Sequence, residues 1–184
     1  MRREPQHQGG AFSRAVLRLS SPLDMKNPRF LKRAVLDLRG VHPDMATFAQ
    51  AFLRDCHRRC FPILCSELLR DGDRQDLLFK QGFSKARAGE SAHNFGMAGD
   101  FFHWKRGWDL SPEEWLILGE IGMEVARKTK IPMNWGGDDV QREKIWPPKN
   151  GDPRTYDNFR WDPAHFEMAN WRSRIVLEEP KGGP

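Results

Sequence analysis

Ser91-Ala92-His93-Asn94-Phe95-Gly96-Met97-Ala98-Gly99-Asp100 and, far downstream, Asp162-Pro163-Ala164-His165-Phe166-Glu167 gather imidazoles and carboxylates in two short segments. Histidine nitrogen and carboxylate oxygen are donors that zinc accepts, and a catalytic zinc commonly keeps three protein ligands and one open position. His93, Asp100 and His165 are the candidate ligands. Asp162 lies three residues before His165, so a turn or short helix lets the two side chains converge. A carboxylate in that position can act as a base toward water. Ser91 and Asn94 can fix the loop and orient the His93 ring, and Gly96 permits a tight turn. His103 is a rival ligand, but its odd separation from Asp100 puts it on the opposite face of a strand. The residue types leave a second reading open, in which Asp162 merely caps a turn and His165 packs beside Phe166. On the first reading, the chain is a metal-assisted hydrolase.

The flanking sequence predicts the frame around these segments. From His42, Pro43 and Asp44 open a helix in which Met45, Phe48, Ala49, Phe52, Leu53 and Cys56 recur at three and four. Phe61–Leu69 is a short apolar run with the length of a strand, and Arg74–Gln81 reads as helix. Met97–Trp104 alternates as a strand, with Asp100 on one face and Phe101 and His103 on the other. Ser111-Pro112-Glu113-Glu114 is a helix start, with a serine N-cap, proline at the first position and an acid at the third; that helix runs to about Lys130. Ile131–Asp138 predicts a further strand ending in Trp135-Gly136-Gly137-Asp138. Residues 139–160, with Pro147-Pro148, Gly151 and Pro153, predict a long loop. The order of elements predicts α+β, a small antiparallel sheet packed against helices in a single domain.

A chain of 184 residues suffices for one domain with a proper core. All seven tryptophans fall from Trp104 to Trp171, which suits an aromatic-walled cleft or a tryptophan-rich core. The net charge of +5 is uneven: residues 1–40 hold nine Lys or Arg against three acids. The sequence therefore divides into a basic arm at 1–40, flexible or surface-seeking, a domain at 41–175 and a solvated tail at 176–184. The arm offers general attraction to an anionic membrane or wall surface, without specific nucleic-acid recognition. Cys56, Cys60 and Cys65 are odd in number, and Cys56 and Cys60 at i, i+4 read as a buried helix face rather than a zinc cluster with His57. No apolar run reaches the length of a membrane span, and no signal peptide is evident, so the expected location is the cytoplasm until release to the wall, or a virus particle. A monomer is expected.

The ordered set Ser-x-His-x-x-Gly-x-Ala-x-Asp, Trp-Gly-Gly-Asp and Asp-x-x-His-Phe-Glu resembles the zinc D,D/L,D-peptidases of peptidoglycan. These comprise D-alanyl-D-alanine carboxypeptidases and dipeptidases, and the L-alanyl-D-glutamate endopeptidases of phage lysins and bacilli. The similarity extends upstream through Arg70, Arg74-Gln75, Leu78-Phe79, Gln81-Gly82 and Ser84-Lys85-Ala86, and covers roughly residues 61–172. It implies a hedgehog and D,D-peptidase type of fold, with zinc on His93, Asp100 and His165. Asp162 would be general base toward water and then acid toward the leaving amine. Arg70 would steady the oxyanion or a substrate carboxylate, and Gln75 and Trp135 would support the site or the substrate. Asp162, rather than glutamate, looks closer to the endopeptidases. Three departures stand out: residues 139–161 intervene before Asp162, Asp71 replaces a usual serine, and Gly99 replaces a typical valine. The implied function is zinc-dependent hydrolysis of a stem-peptide bond, most simply L-alanyl-D-glutamate cleavage by an endolysin or virion-associated lysin. D-alanyl-D-alanine carboxypeptidase or dipeptidase activity is the rival within the class. A non-catalytic wall-binding or virion structural protein is the rival outside it.

Overall fold

A computed structural model describes residues 8–137 and 162–178. Helix α1 (Gln8–Leu19) leads through a 3-10 turn (Asp24–Lys26) to α2 (Pro28–Arg33) and the long α3 (Pro43–Arg58). Strand β1 (Ile63–Glu67), α4 (Gly72–Lys80), a 3-10 turn (Ala92–Phe95) and β2 (Ala98–His103) follow. Then come α5 (Pro112–Thr129), β3 (Met133–Trp135), β4 (His165–Met168) and α6 (Trp171–Glu178).

The predicted α3 and α5 form for local reasons, while α4 begins at Gly72, two residues before the predicted Arg74. The His42 ring accepts the Asp44 amide ahead of Pro43, and all six residues of the predicted apolar stripe of α3 are buried. Ser111 and Glu114 close a reciprocal capping box on α5, which ends at Lys130 in the left-handed region. The Asp71 carboxylate accepts the Arg74 amide and caps α4. An aspartate caps a helix as well as serine does, which accounts for the residue found at this position.

The four strands form one antiparallel sheet in the order β1-β2-β4-β3. Alternation gives it two unlike faces. Toward the helices, Phe101 and Phe166 meet Phe48 and Phe52 of α3, with ring centroids 4.8–6.5 Å apart. Phe52 is fully buried; truncating such a ring costs about 3–5 kcal/mol. On α5, Gly119 and Gly122 are slots: a Cβ there would stand 2.4 Å from the Trp135 and Phe166 rings respectively. Gly99 is explained similarly, since Leu68, Met45 and Phe101 already fill the space of a side chain at that position, the first two within 2.9 Å of an added Cβ.

The N-terminal region departs from the expected flexible arm. From residue 8 it is helical and docked. Ala15 and Leu19 are buried against α5, and Arg18 reaches Glu114 at 3.1 Å. The Ser21 amide donates to the Cys60 carbonyl at 2.8 Å, and Phe30 is buried against His57 and Trp104. A basic sequence reads as solvated until a partner is in view; Glu114, 96 positions downstream, is that partner. Residues 1–7, 138–161 and 179–184 lie outside the described residues, and with them the loop predicted at 139–160 and most of the tail predicted at 176–184, of which 176–178 extend α6. No helix among the described residues is long and apolar enough to cross a membrane.

Candidate metal centre

Three elements deliver the three candidate ligands to one point. Ser91 caps the 3-10 turn that carries His93, with Asn94 completing the capping box. Gly96 ends the turn at φ 62, where a Cβ would lie 2.6 Å from the Gly40 carbonyl oxygen, so only glycine serves. The chain then enters β2, whose Asp100 stands directly across from His165 of β4 in the register. The segment before His165 is a turn, not a helix: the Asp162 carbonyl accepts the His165 amide at 2.9 Å, and its carboxylate accepts the Ala164 amide at 3.1 Å.

One oxygen of Asp100 faces both rings. Its Oδ1 lies 3.2 Å from His93 Nε2 and 2.9 Å from His165 Nδ1. The three donor atoms lie within 4.8 Å of one another, and among the described residues no other group of three His, Cys, Asp or Glu side chains is so arranged. Tetrahedral zinc with bonds near 2.0–2.1 Å spaces its ligands about 3.3 Å apart, so this nitrogen, nitrogen, oxygen set fits the ion in chemistry and in spacing. His103 is elsewhere, on the helix side of β2 near α1 and Arg106. The cysteine thiols are free; Cys56 is raised by burial, and burial pushes Cys65 up to about 12.

The charges are set for a cation. Burial alone would raise the Asp100 carboxyl, but the charges and hydrogen bonds of His93 and His165 hold it far below the usual carboxylate range. Burial would lower His165, but the Asp100 and Glu167 carboxylates raise it to about 10. A divalent ion held by these residues would displace that proton and take over its electrostatic part. Asp162 is open to solvent at the edge of the cluster; the protein packed around its carboxyl and the Asp100 charge raise it above its ordinary value. Asp162 thus caps its turn, and its carboxyl is also near enough to feel the charges of Asp100, His165 and His93.

Arg70 is placed differently from the expectation. Its buried guanidinium donates to Glu67 Oε2 at 2.6 Å, to Gln75 Oε1 at 3.0 Å and to Asp100 Oδ2 at 3.2 Å. With all three nitrogens engaged, it steadies the second oxygen of Asp100 and leaves Oδ1 to the cluster. Fully buried Gln75 passes this support on to Ser84 Oγ and the Ala86 carbonyl. Asn94 donates to the Arg70 carbonyl. Trp135 is buried, and its indole donates to the Pro163 carbonyl at 2.8 Å, pinning the turn between Asp162 and His165; it is a support rather than a cleft wall. Sequence reasoning missed Glu67, which accepts from both Arg70 and Arg74, and Glu167, which shares a strand face with His165. In each case the signal was a spacing: three residues before an arginine, and two after a histidine in a strand.

No family model matches the chain. It is 30% identical over 116 residues to the peptidoglycan L-alanyl-D-glutamate endopeptidase CwlK of Bacillus subtilis (strain 168), a stretch that covers 53% of this chain and 66% of the relative, slightly under two-thirds of its length. Its fold is similar to that of the L-Ala D-Glu endopeptidase ChiX of Serratia marcescens, with a TM-score of 0.54 and 25% identity over 77% of this chain and 90% of that one. The mixed fold, the sequence similarity and the ordered motifs now stand together: the chain is similar in sequence and in fold to peptidoglycan L-alanyl-D-glutamate endopeptidases.

Proposed function

We propose that this protein is a zinc-dependent endopeptidase that hydrolyses the L-alanyl-D-glutamate bond of the peptidoglycan stem peptide. The observation that carries the reading is the convergence of His93, Asp100 and His165 beside a raised, solvent-open Asp162. The similarity to CwlK and ChiX supports the choice of bond. A zinc ion held by those three residues would supply Lewis acidity toward the scissile carbonyl and would acidify water. Asp162 takes a proton from the attacking water and returns it to the leaving amine as the C–N bond breaks. Its Oδ1 is fixed by the Ala164 amide. Arg70 keeps Asp100 in place during this exchange. Digestion of purified murein, with mass spectrometry of the products, tests the proposal. Newly exposed D-glutamyl amines, lost on chelation and on His93→Ala, are expected. Release of single D-alanine would move the reading to a carboxypeptidase. Activity that survives both complete zinc removal and His93→Ala would sink it.

We also propose a lysin role, as an endolysin or a virion-associated enzyme, in which residues 12–35 approach an anionic membrane or wall. Leu17, Leu23 and Val35 are more than 70% exposed there, beside exposed Arg14, Lys26, Arg29 and Lys32. Apolar groups among cations suit an anionic interface. Co-sedimentation with anionic but not neutral vesicles is the expected result, and equal binding to both removes this part.

A further inference from the structure

We infer that Glu167 is a positioning residue that selects which nitrogen of His165 meets the ion. This rests on the metal-binding reading above. His165 and Glu167 are two apart on β4 and share the open face of the sheet, while Phe166 and Met168 enter the core. The two imidazoles of the cluster are held through opposite nitrogens. His93 donates Nδ1–H toward the Leu68 carbonyl at 3.3 Å, so its Nε2 faces Asp100. Among the described residues, no backbone carbonyl plays that role for His165. Its Nδ1 faces Asp100 at 2.9 Å, and its Nε2 lies 3.4 Å from Glu167 Oε2.

A neutral imidazole has one N–H and one lone pair, and the partner of the N–H decides which nitrogen remains for a metal. Glu167 accepts from Nε2–H and so leaves Nδ1 free. The carboxylate is itself braced from the next strand and from α6. Asn134, its register partner on β3, donates to it, and the Arg172 charge lies close by. The brace therefore runs from β3 through Glu167 to His165, much as the Gln75 and Arg70 brace runs to Asp100. One ligand is steadied by a backbone carbonyl, one by a cation and one by a carboxylate.

The test is zinc affinity, measured by competition with a chromophoric chelator on the full chain, together with long-range proton–nitrogen NMR of the zinc-loaded protein. For Glu167→Ala, affinity is expected to fall about 10- to 100-fold, and the His165 ring should no longer show a single Nε2–H form. Glu167→Gln keeps an accepting oxygen and is expected to recover most of the affinity and the single Nε2–H form. Melting without zinc serves as the folding control. Wild-type affinity in Glu167→Ala, or an unchanged single Nε2–H form in it, overturns the inference. If the wild-type protein itself fails to bind zinc, the functional proposal falls instead.

Discussion

Asp100 and Glu114 are both acids taken out of water, and they are stabilised in opposite ways. Glu114 is fully buried and meets permanent cations: Arg106 at 2.6 Å and Arg18 at 3.1 Å, with the Ser111 amide closing its remaining valence. Such a cluster has no use for an ion and ties α1 to α5. Asp100 has one permanent cation, Arg70, on one oxygen, and two imidazoles on the other. An imidazolium, unlike a guanidinium, can surrender its proton to an incoming metal, so that side of Asp100 can exchange protons for a metal. A buried carboxylate thus becomes structural or functional according to whether its partners can lose their charge.

The sharpest way to break this contrast is Asp100→Asn. Zinc affinity should fall more than about 100-fold, beyond the range for losing a supporting residue, and murein hydrolysis should vanish while far-UV circular dichroism stays unchanged. Glu114→Ala should do the reverse. Removing one partner of a buried ion pair costs about 3–5 kcal/mol, and because Arg18 and Arg106 retain solvent contact we expect about 2–3 kcal/mol in urea denaturation. Zinc affinity of the folded protein should be unchanged.

Acid and base separate the two regions further. Despite the opposing effect of burial, Arg106, the Ser111 amide and Arg18 bring Glu114 down to about 2 from 4.5. Its contribution to stability is therefore complete above about pH 4.5 and is lost as pH falls toward about 2. His165 is raised, so without metal its contribution is complete below pH 6.5 and is lost as pH rises through about 10. Urea midpoints in chelator should fall at both extremes, whereas zinc should abolish the alkaline loss. Calorimetry near pH 8 in buffers of different ionisation enthalpy should show proton release on zinc uptake. The smallest effect expected is at the α4 cap: Asp71→Ala should cost about 1 kcal/mol and Asp71→Ser almost nothing, read by the same denaturation.

Local rules carried much of the fold. The α3 stripe, the Ser111 capping box and the alternation of β2 follow from neighbours within a few residues, and the structure reproduces them. The three candidate ligands lie together, in the grouping that the resemblance implied. The misses share a cause. Arg18 and Glu114, Trp135 and Pro163, and Arg70 and Asp100 meet across 96, 28 and 30 positions. Spacing rules are silent at those separations. The order β1-β2-β4-β3 is likewise a product of tertiary packing. Asp162 was placed on a turn or short helix because both satisfy the same interval; the amide bonds into its carbonyl and carboxylate settle it as a turn.

Gly136 has a consequence for how this chain can vary. A side chain there would press within 2.3 Å of the Asp162 carbonyl oxygen, and its amide is bonded to the His165 carbonyl at 2.8 Å. The backbone at Gly136 is therefore in direct contact with the turn that leads into the ligand His165. A Cβ at Gly136 would press on that turn, so even Gly136→Ala would shift a ligand without touching its ring.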